Sequence, residues 1–557
     1  MPEYLAPGVY VEEINTGPRP IEGVSTSTAG FAGETERGST KPTLVTSWAD
    51  FQRNFGGYID EEPRETDNVY LPYAIRGFFE NGGQRAYVAR VVGSPRPPPN
   101  APPPAPNAPK PPAVAAAATL ASDPANPQKP TIVEAIGPGK WGNNLRITIS
   151  AASASATLPK LASGQVDKNP VRSWFRLQVL YYRNPFPDPL FDPKIPGRFA
   201  RPPDAFEDFD NLSPDSTRPN FALSAINGSS SLIKLTACPA RPADVADFKV
   251  ELKGGNAGPA TVGDFTESNL DPELRTGLEG LLAIRDVSLM ACPDEVVLAN
   301  LSDELLNRCE GAKDRFAILN EITDKSDYGA IVQHRDSSYG GLYYPRLRVV
   351  APHTPEGYAI VPPAGHVAGI FARTDVGRGV HKAPANEVVR GILSRDLVGG
   401  RKPLSHTLTK REHDMLNPRG VNVIRDFRPD GRDIRVWGAR TMTSDAMWKY
   451  INVRRLFIFI EQSIDRGTQW AVFEPNSEIT WISMRASITN FLRTVWNNGA
   501  LMGTIQEEAF FVKCDRTTMT QDDFDNGRLI CLIGIAPVKP AEFVIIRISQ
   551  KTLEAES

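Results

Sequence analysis

The sequence predicts a multidomain chain of mixed α+β and α/β class, and three observations carry that prediction. At 557 residues the chain is too long for one ordinary core, so two to four domains are expected. A proline-dense stretch, Pro95–Pro112, separates two regions of different texture. From Asp271 onward the pattern becomes one of alternating helices and short apolar strands, which suggests an α/β layer.

The elements follow in order. Tyr4–Ile14 opens the chain with strand formers, close to a terminus where disorder is the rule. Phe78–Val92 reads as a helix end, a glycine turn and a strand. Pro95–Pro112 and the alanine-rich run behind it favour extended polyproline II and cannot build a core, so they mark a linker. Thr131–Ile136, Leu145–Ser150 and Phe175–Tyr182 read as short strands, while Pro185–Pro219 and Ala237–Pro242 are dense in turn formers. Residues 131–268 are therefore expected to form a β-rich inserted domain.

Ile284–Ala291, Arg315–Ile322 and Leu347–Val350 are candidate buried strands, set among helical patterns near Glu295–Arg308 and Tyr328–Asp336. Ala446–Ile464 places Val453, Phe457, Ile460 and Ile464 at helical spacing. Ser483–Asn498 does the same with Met484, Ile488, Phe491 and Val495, and Gly499 follows as a C-cap. Leu529–Ala536 and Glu542–Ser549 read as two strands, separated by Pro537-Val538-Lys539-Pro540, which cannot continue a ladder and so turns the chain.

Net charge is -3, which removes any bulk electrostatic case for nucleic acid or an anionic membrane as partner. The start, Met1-Pro2-Glu3-Tyr4, carries no secretory pattern, and the most apolar stretches, Leu456–Ile460 and Leu529–Val538, are far too short to span a bilayer. Folding in the cytoplasm without direct membrane insertion is expected. The cysteines Cys238, Cys292, Cys309, Cys514 and Cys531 are odd in number, widely spaced and without a CxxC, so they read as reduced, mostly buried thiols.

The usual catalytic constellations fail one by one. Gly137-Pro138-Gly139-Lys140-Trp141-Gly142 has the letters of a dinucleotide loop, but a strand-like stretch follows where a helix N-terminus must hold the pyrophosphate. His334-Arg335-Asp336 has the letters of a kinase catalytic loop, yet Gly341 stands where the metal-binding Asn belongs. The six histidines form no HExxH or other close ligand pair, and Asp522, Asp523 and Asp525 lack the spacing of a calcium loop. No enzymatic activity, metal or cofactor is expected.

Read in order, several segments resemble the contractile tail sheath family of bacteriophage tails, phage-tail-like bacteriocins and extracellular contractile injection systems. They are Pro7-Gly8-Val9-Tyr10-Val11-Glu12-Glu13, Trp48-Ala49-Asp50-Phe51 with Phe55-Gly56-Gly57, and Phe78-Phe79-Glu80-Asn81-Gly82-Gly83. Gly139-Lys140-Trp141-Gly142-Asn143-Asn144 is similar to the family's Gly-x-Trp-Gly-Asn turn. Further matches are Val361-Pro362-Pro363-Ala364-Gly365-His366-Val367-Ala368-Gly369, Ala383-Pro384-Ala385-Asn386, Val453-Arg454-Arg455-Leu456, Trp470–Asn476 and Gly534–Phe543.

The resemblance implies a core domain built from N- and C-terminal portions, with an outward-facing insertion. On this reading residues 1–20 form a linker arm with a strand, 21–95 the N-terminal part of the core and 96–130 the Pro/Ala-rich linker. Residues 131–268 form the inserted outer domain, 269–400 the α/β sheath domain, 401–528 the C-terminal part of the core and 529–557 the strands of an intersubunit sheet. It further implies hexameric rings stacked helically around an inner tube protein, between baseplate and terminal cap proteins. Contraction then drives the tube through a target envelope, within a virion tail or a tail-like particle assembled in the cytoplasm. A β-rich surface adhesin or carbohydrate-binding protein is the alternative, resting on the insertion.

In the family this chain resembles, terminal arms add strands to neighbouring subunits. Here Val9, Tyr10, Val11 and Ile14 would lie against Phe543, Val544, Ile545, Ile546 and Ile548 of another copy. Ordering a residue costs roughly 1–2 kcal/mol, whereas a hydrogen bond returns about 0.5–1.5 kcal/mol net. Hydrogen bonds alone therefore lose, and burial at about 1.5–3 kcal/mol per apolar side chain must make up the difference. For the tube, the resemblance suggests a helix in the region of Ser483–Asn498, where Arg485, Thr489 and Arg493 share one stripe largely opposite the apolar one.

Overall fold

The computed structural model describes residues 20–59, 69–95, 111–123, 126–156, 174–187, 201–237, 248–267, 269, 271, 274–324, 327–394 and 402–546. Val9, Tyr10, Val11, Ile14 and Ile548 lie outside them. The chain divides into two compact units. The larger body comprises Thr26–Arg373 and Pro384–Ala446; the terminal unit comprises Met1–Ser25, Thr374–Ala383 and Met447–Ser557.

The body is organised by a nine-stranded sheet. In chain order its strands are β1 (Ala29–Gly33), β2 (Thr43–Val45), β3 (Ala86–Arg90), β4 (Leu289–Ala291), β5 (Phe316–Asn320), β6 (Gly340–Tyr344), β7 (Glu387–Val388), β8 (Val421–Asp426) and β9 (Ile434–Val436). Across the sheet the order is β7-β9-β8-β6-β5-β4-β1-β3-β2. The six central strands run parallel, and the antiparallel β2, β9 and β7 finish the two sides. Every residue of β1, β5 and β6 is buried, as parallel strands covered on both faces require.

Two helices show why two of the family-like motifs read as they do. Helices α1 (Trp48–Phe55) and α2 (Leu71–Glu80) lie between β1 and β3, α3 (Leu301–Ala312) precedes β5, and α4 (Ala364–Arg378) precedes β7. Helix α2 meets α4 so closely that a Cβ on Gly365 would stand 2.3 Å from Ala74 Cα, and one on Gly369 2.3 Å from the Phe78 carbonyl oxygen. At the end of α2, Asn81 is fully buried. Its Nδ2 donates to the carbonyls of Gly77 (2.8 Å) and Arg390 (3.0 Å), and its Oδ1 accepts from the Arg390 amide (2.9 Å). The helix stop is also a clamp on a distant loop.

The inserted region carries a four-stranded sheet of Phe248–Glu251, Leu145–Ala151, Phe175–Tyr181 and Ala205–Leu212, and a three-stranded sheet of Ala117–Asp123, Asn126–Ala135 and Ile233–Leu235. Leu145, Ile147, Phe175, Leu177, Val179 and Ile233 contribute to their shared core. Residues 140–144 form a turn of 3-10 helix. Trp141 Nε1 donates to the Pro138 carbonyl (3.1 Å), and Asn143 exchanges two hydrogen bonds with Gly255. The glycine-rich letters thus close a turn of the inserted region.

Four sequence expectations need correction. The alanine-rich run assigned to the 96–130 linker instead supplies strand Ala117–Asp123, and Ala116 and Leu120 are buried in the core of the inserted region because the paired strands around them cover it. Tyr328–Asp336 has helical spacing but forms turns. Asp327 accepts from the Gly329 amide in an Asx turn, and Ile331 reaches the body's core from a loop. Within Pro185–Pro219, Ala205–Leu212 is a strand, stabilised by the Arg176–Asp208 pair and by antiparallel pairing with Phe175–Tyr181 that is broken by one register shift between Phe175 and Leu177. Of Ile284–Ala291 only Leu289–Ala291 enters the sheet, because the preceding residues close the turn after helix Gly277–Leu282.

Where β1 and β4 diverge to their next neighbours, the carboxyl ends of the strands form the place at which doubly wound sheets bind ligands. Here the chain's own side chains occupy it. Asp294 accepts from the amides of Tyr70 (2.8 Å) and Glu34 (3.3 Å). Glu295 accepts from the amide and side chain of Asn320 (2.5 and 2.8 Å), whose Oδ1 accepts from the Ala364 amide at the start of α4. Burial pushes the Glu295 carboxyl up to about 8.

Candidate assembly surface

The terminal unit is built on two helices, α5 (Ile451–Thr468) and α6 (Glu478–Asn497). Along α6, Trp481, Met484, Ile488, Phe491, Leu492 and Val495 are buried at spacings of three and four, which fixes its inward face. Trp481 Nε1 donates to Asn476 Oδ1 (2.7 Å) and sets the entry of the helix. On α5, Leu456 and Ile460 join the same cluster, as does Ile21 from the N-terminal segment. The Val24 amide donates to Ser463 Oγ (3.1 Å), so the first described residues are held by this unit.

Two arginines of α5 are committed internally. Arg455 makes a bidentate ion pair with Asp375 (2.9 and 2.5 Å), the two side chains being 3% and 1% exposed. Such a pair is held by geometry, and either charge alone would be costly. Arg454 lies over the Trp448 ring, 3.5 Å from its centroid.

After α6, Gly499 turns the chain at φ 78°, and strands β10 (Phe510–Lys513) and β11 (Leu532–Ile535) form an antiparallel two-stranded sheet. The expected strand Leu529–Ala536 is thus realised over its second half. Between the strands Thr520 and Asp523 make a capping box, and Arg528 pairs with Asp522 and Asp523, so the acidic cluster belongs to a closed turn.

Beyond β11 the chain is pinned and then released. The Met502 amide donates to the Ala536 carbonyl (2.8 Å) and the Val538 amide to the Ala500 carbonyl (3.1 Å). Glu542 accepts from the Tyr450 hydroxyl (3.1 Å) and stands 3.6 Å from Lys449 Nζ. Next come Phe543, Val544, Ile545 and Ile546, which are 70–79% exposed and carry no strand in the chain by itself. Four consecutive large apolar side chains in water are not a stable arrangement for a surface.

The stripe on α6 is placed as spacing suggested only in part. Arg485 and Arg493 are exposed, and Thr489 is half-buried. Arg493 donates to Gln506 (3.1 and 3.3 Å) and to Asn490 (3.3 Å). The stripe's N-terminal end is apolar, with Ile479 and Ile482 both exposed. Sequence reasoning missed the Glu542 anchor and the pairing of 536–538 with 500–502. The only signal for the latter was a short apolar Ala500-Leu501-Met502 after a helix stop.

Among the described residues, no helix is long and apolar enough to cross a membrane.

Comparison with known proteins agrees with this architecture. The phage tail sheath protein central domain matches residues 272–442, and the phage tail sheath C-terminal domain matches residues 443–551. The tail sheath protein of Vibrio phage KVP40 is 27% identical over 197 residues, 35% of this chain. The matched stretch spans about a quarter of that relative, 27% of its length. Two solved structures share the fold over nearly the whole chain. The helical sheath of the anti-feeding prophage in its contracted state has a TM-score of 0.53 at 22% identity, covering 99% of this chain and 100% of that one. The PVC sheath complex of an extracellular contractile injection system, also contracted, has a TM-score of 0.52 at 20% identity, covering 99% of each. With consecutive sheath domains matched from residue 272 to residue 551, the chain belongs to the contractile tail sheath family.

Proposed function

We propose that this chain is the repeating structural subunit of a contractile sheath, packed as six-fold rings wound helically around an inner tube. The observation that carries the reading is the run Phe543–Ile546, exposed directly after an anchored hairpin. A strand supplied by a second copy would cover it, and Val9, Tyr10, Val11 and Ile14 have the right residue types. Ile548 would extend the same ladder. Because the contact joins one patch to a different patch, repetition gives an open helical assembly rather than a closed dimer.

The remaining partners follow from the same reading. Arg485, Thr489 and Arg493 would face the inner tube through weak ionic contacts that release on contraction. Baseplate and cap proteins would end the assembly, and the insertion at 131–268 would face outward. The connection Asn15–Pro20, most of it outside the described residues, would let subunits rotate while paired arms keep them linked; Gly527, read from the sequence as a second such connection, lies instead in the closed turn between β10 and β11. Contraction would be release from a metastable extended packing. The names of the structural neighbours, sheath complexes in a contracted state, support this.

Negative-stain microscopy of the purified full chain under assembly conditions tests the reading. Rods or striated tubes are expected, lost when Val544 and Ile546 are both replaced by Lys. Monodisperse globules from the unaltered chain, or normal rods from the double variant, contradict it.

A further inference from the structure

Opposite each other at the loop end of the terminal hairpin stand two cysteines. The ladder pairs Lys513 with Leu532, so the next register position sets Cys514 against Cys531. Its hydrogen-bonding phase is fixed by the Ala536 amide, which donates to the Ala509 carbonyl (2.9 Å). Ala509 and Ala536 are directly opposed in that register, which makes them a hydrogen-bonded pair. Alternation along an antiparallel ladder then makes 514 and 531 a non-hydrogen-bonded pair, the kind with its Cα atoms about 4.5 Å apart and its side chains closest. That separation lies within the range a disulfide spans.

Side chains of such a pair leave the same face of the ladder. Both thiols are free, and each perturbs the ionisation of the other. Cys514 is buried and Cys531 is half-buried, which makes Cys531 the more accessible residue of the two. Burial, and then Cys514, push the Cys531 thiol up to about 12, so little thiolate is present at neutral pH and reaction is slow. The other described cysteines, Cys292 and Cys309, are buried in the body.

We infer that Cys514 and Cys531 are a redox modification site, a dithiol that a low-molecular-weight disulfide converts to a cross-strand disulfide stapling β10 to β11. The step balances as thiol–disulfide exchange. Cys531 loses its proton and attacks one sulfur of the oxidant, forming a mixed disulfide and expelling one thiolate. Cys514, deprotonated in turn, attacks the Cys531 sulfur, forming the protein S–S bond and expelling the second thiolate. Two protein thiols are oxidised and one small disulfide is reduced to two thiols. The staple sits where the connecting loop joins β10 and β11, and the opposite end of the hairpin leads to Phe543–Ile546, so oxidation would fix the platform from which the C-terminal arm leaves.

The test uses the full-length chain in its native state, held for hours with an excess of oxidised glutathione, then blocked with an alkylating agent before digestion. The expected product is one peptide pair joined through Cys514 and Cys531, lighter by two hydrogens than the reduced pair, and absent in Cys514→Ser. Hydrogen exchange at the β11 amides should slow by about tenfold or more in the oxidised chain. Both cysteines remaining alkylated, glutathione held at Cys531 without closure, or linkage between two chains would each overturn the inference.

Discussion

The sheet of the body and the sheet of the terminal unit end differently. In the body, six parallel strands are finished by short antiparallel pieces, β2 of three residues and β7 of two, which leave little edge for another chain to pair with. Among the described residues the terminal sheet has two strands, with Phe511 and Leu532 exposed on them and an apolar tail continuing beyond. The first arrangement is complete within one copy. The second has its anchors complete and its apolar surface unspent, which is what a subunit needs if assembly is to begin only after folding.

Breaking the closed interior should cost most. Arg455→Met leaves Asp375 buried and unpaired, and is expected to destabilise the terminal unit by about 3–5 kcal/mol, read as a shift in the urea midpoint. Replacing Asp375 by Asn in the same chain should recover part of that loss. A smaller effect of opposite sign is expected from Glu295→Gln. A carboxyl held at about 8 in the folded chain, against about 4.3 when unfolded, makes the native state bind more protons than the unfolded one. Its penalty grows as pH rises from the unfolded value toward 8 and is constant above it. Glu295→Gln should therefore gain on the order of 1–3 kcal/mol at pH 8 and almost nothing at pH 4; equal effects at both would remove the burial argument. Smallest of all, Val544→Lys with Ile546→Lys should change subunit stability by no more than about 0.5 kcal/mol, because these side chains touch little within one copy. A large loss in the unassembled subunit would show that the tail packs on its own chain.

Much of the body's construction was legible in the sequence. The body's strands at 145–151, 175–181, 316–320 and 347–350 follow from apolar spacing, as do helices α5 and α6 of the terminal unit. What failed had physical causes. Tyr328–Asp336 carries helix-like spacing that a loop uses to reach the core, and the charged strand Ala205–Leu212 owes its place to a partner strand. The motifs supporting the resemblance were visible as letters only. That Asn81 clamps Arg390, or that Gly365 and Gly369 let α2 and α4 touch, depends on segments far apart in sequence. At the assembly surface, Phe543–Ile546 were legible as strand formers. A single copy displays them without a ladder, and the strand addition proposed above would have a second chain supply it.

Hydrogen exchange at the amides of Phe543–Ile546, compared between dispersed subunits and assembled sheath, tests the central claim most directly. Strand addition predicts exchange close to the unstructured rate in dispersed subunits and protection of at least about a hundredfold after assembly. Equal exchange in both states would contradict it.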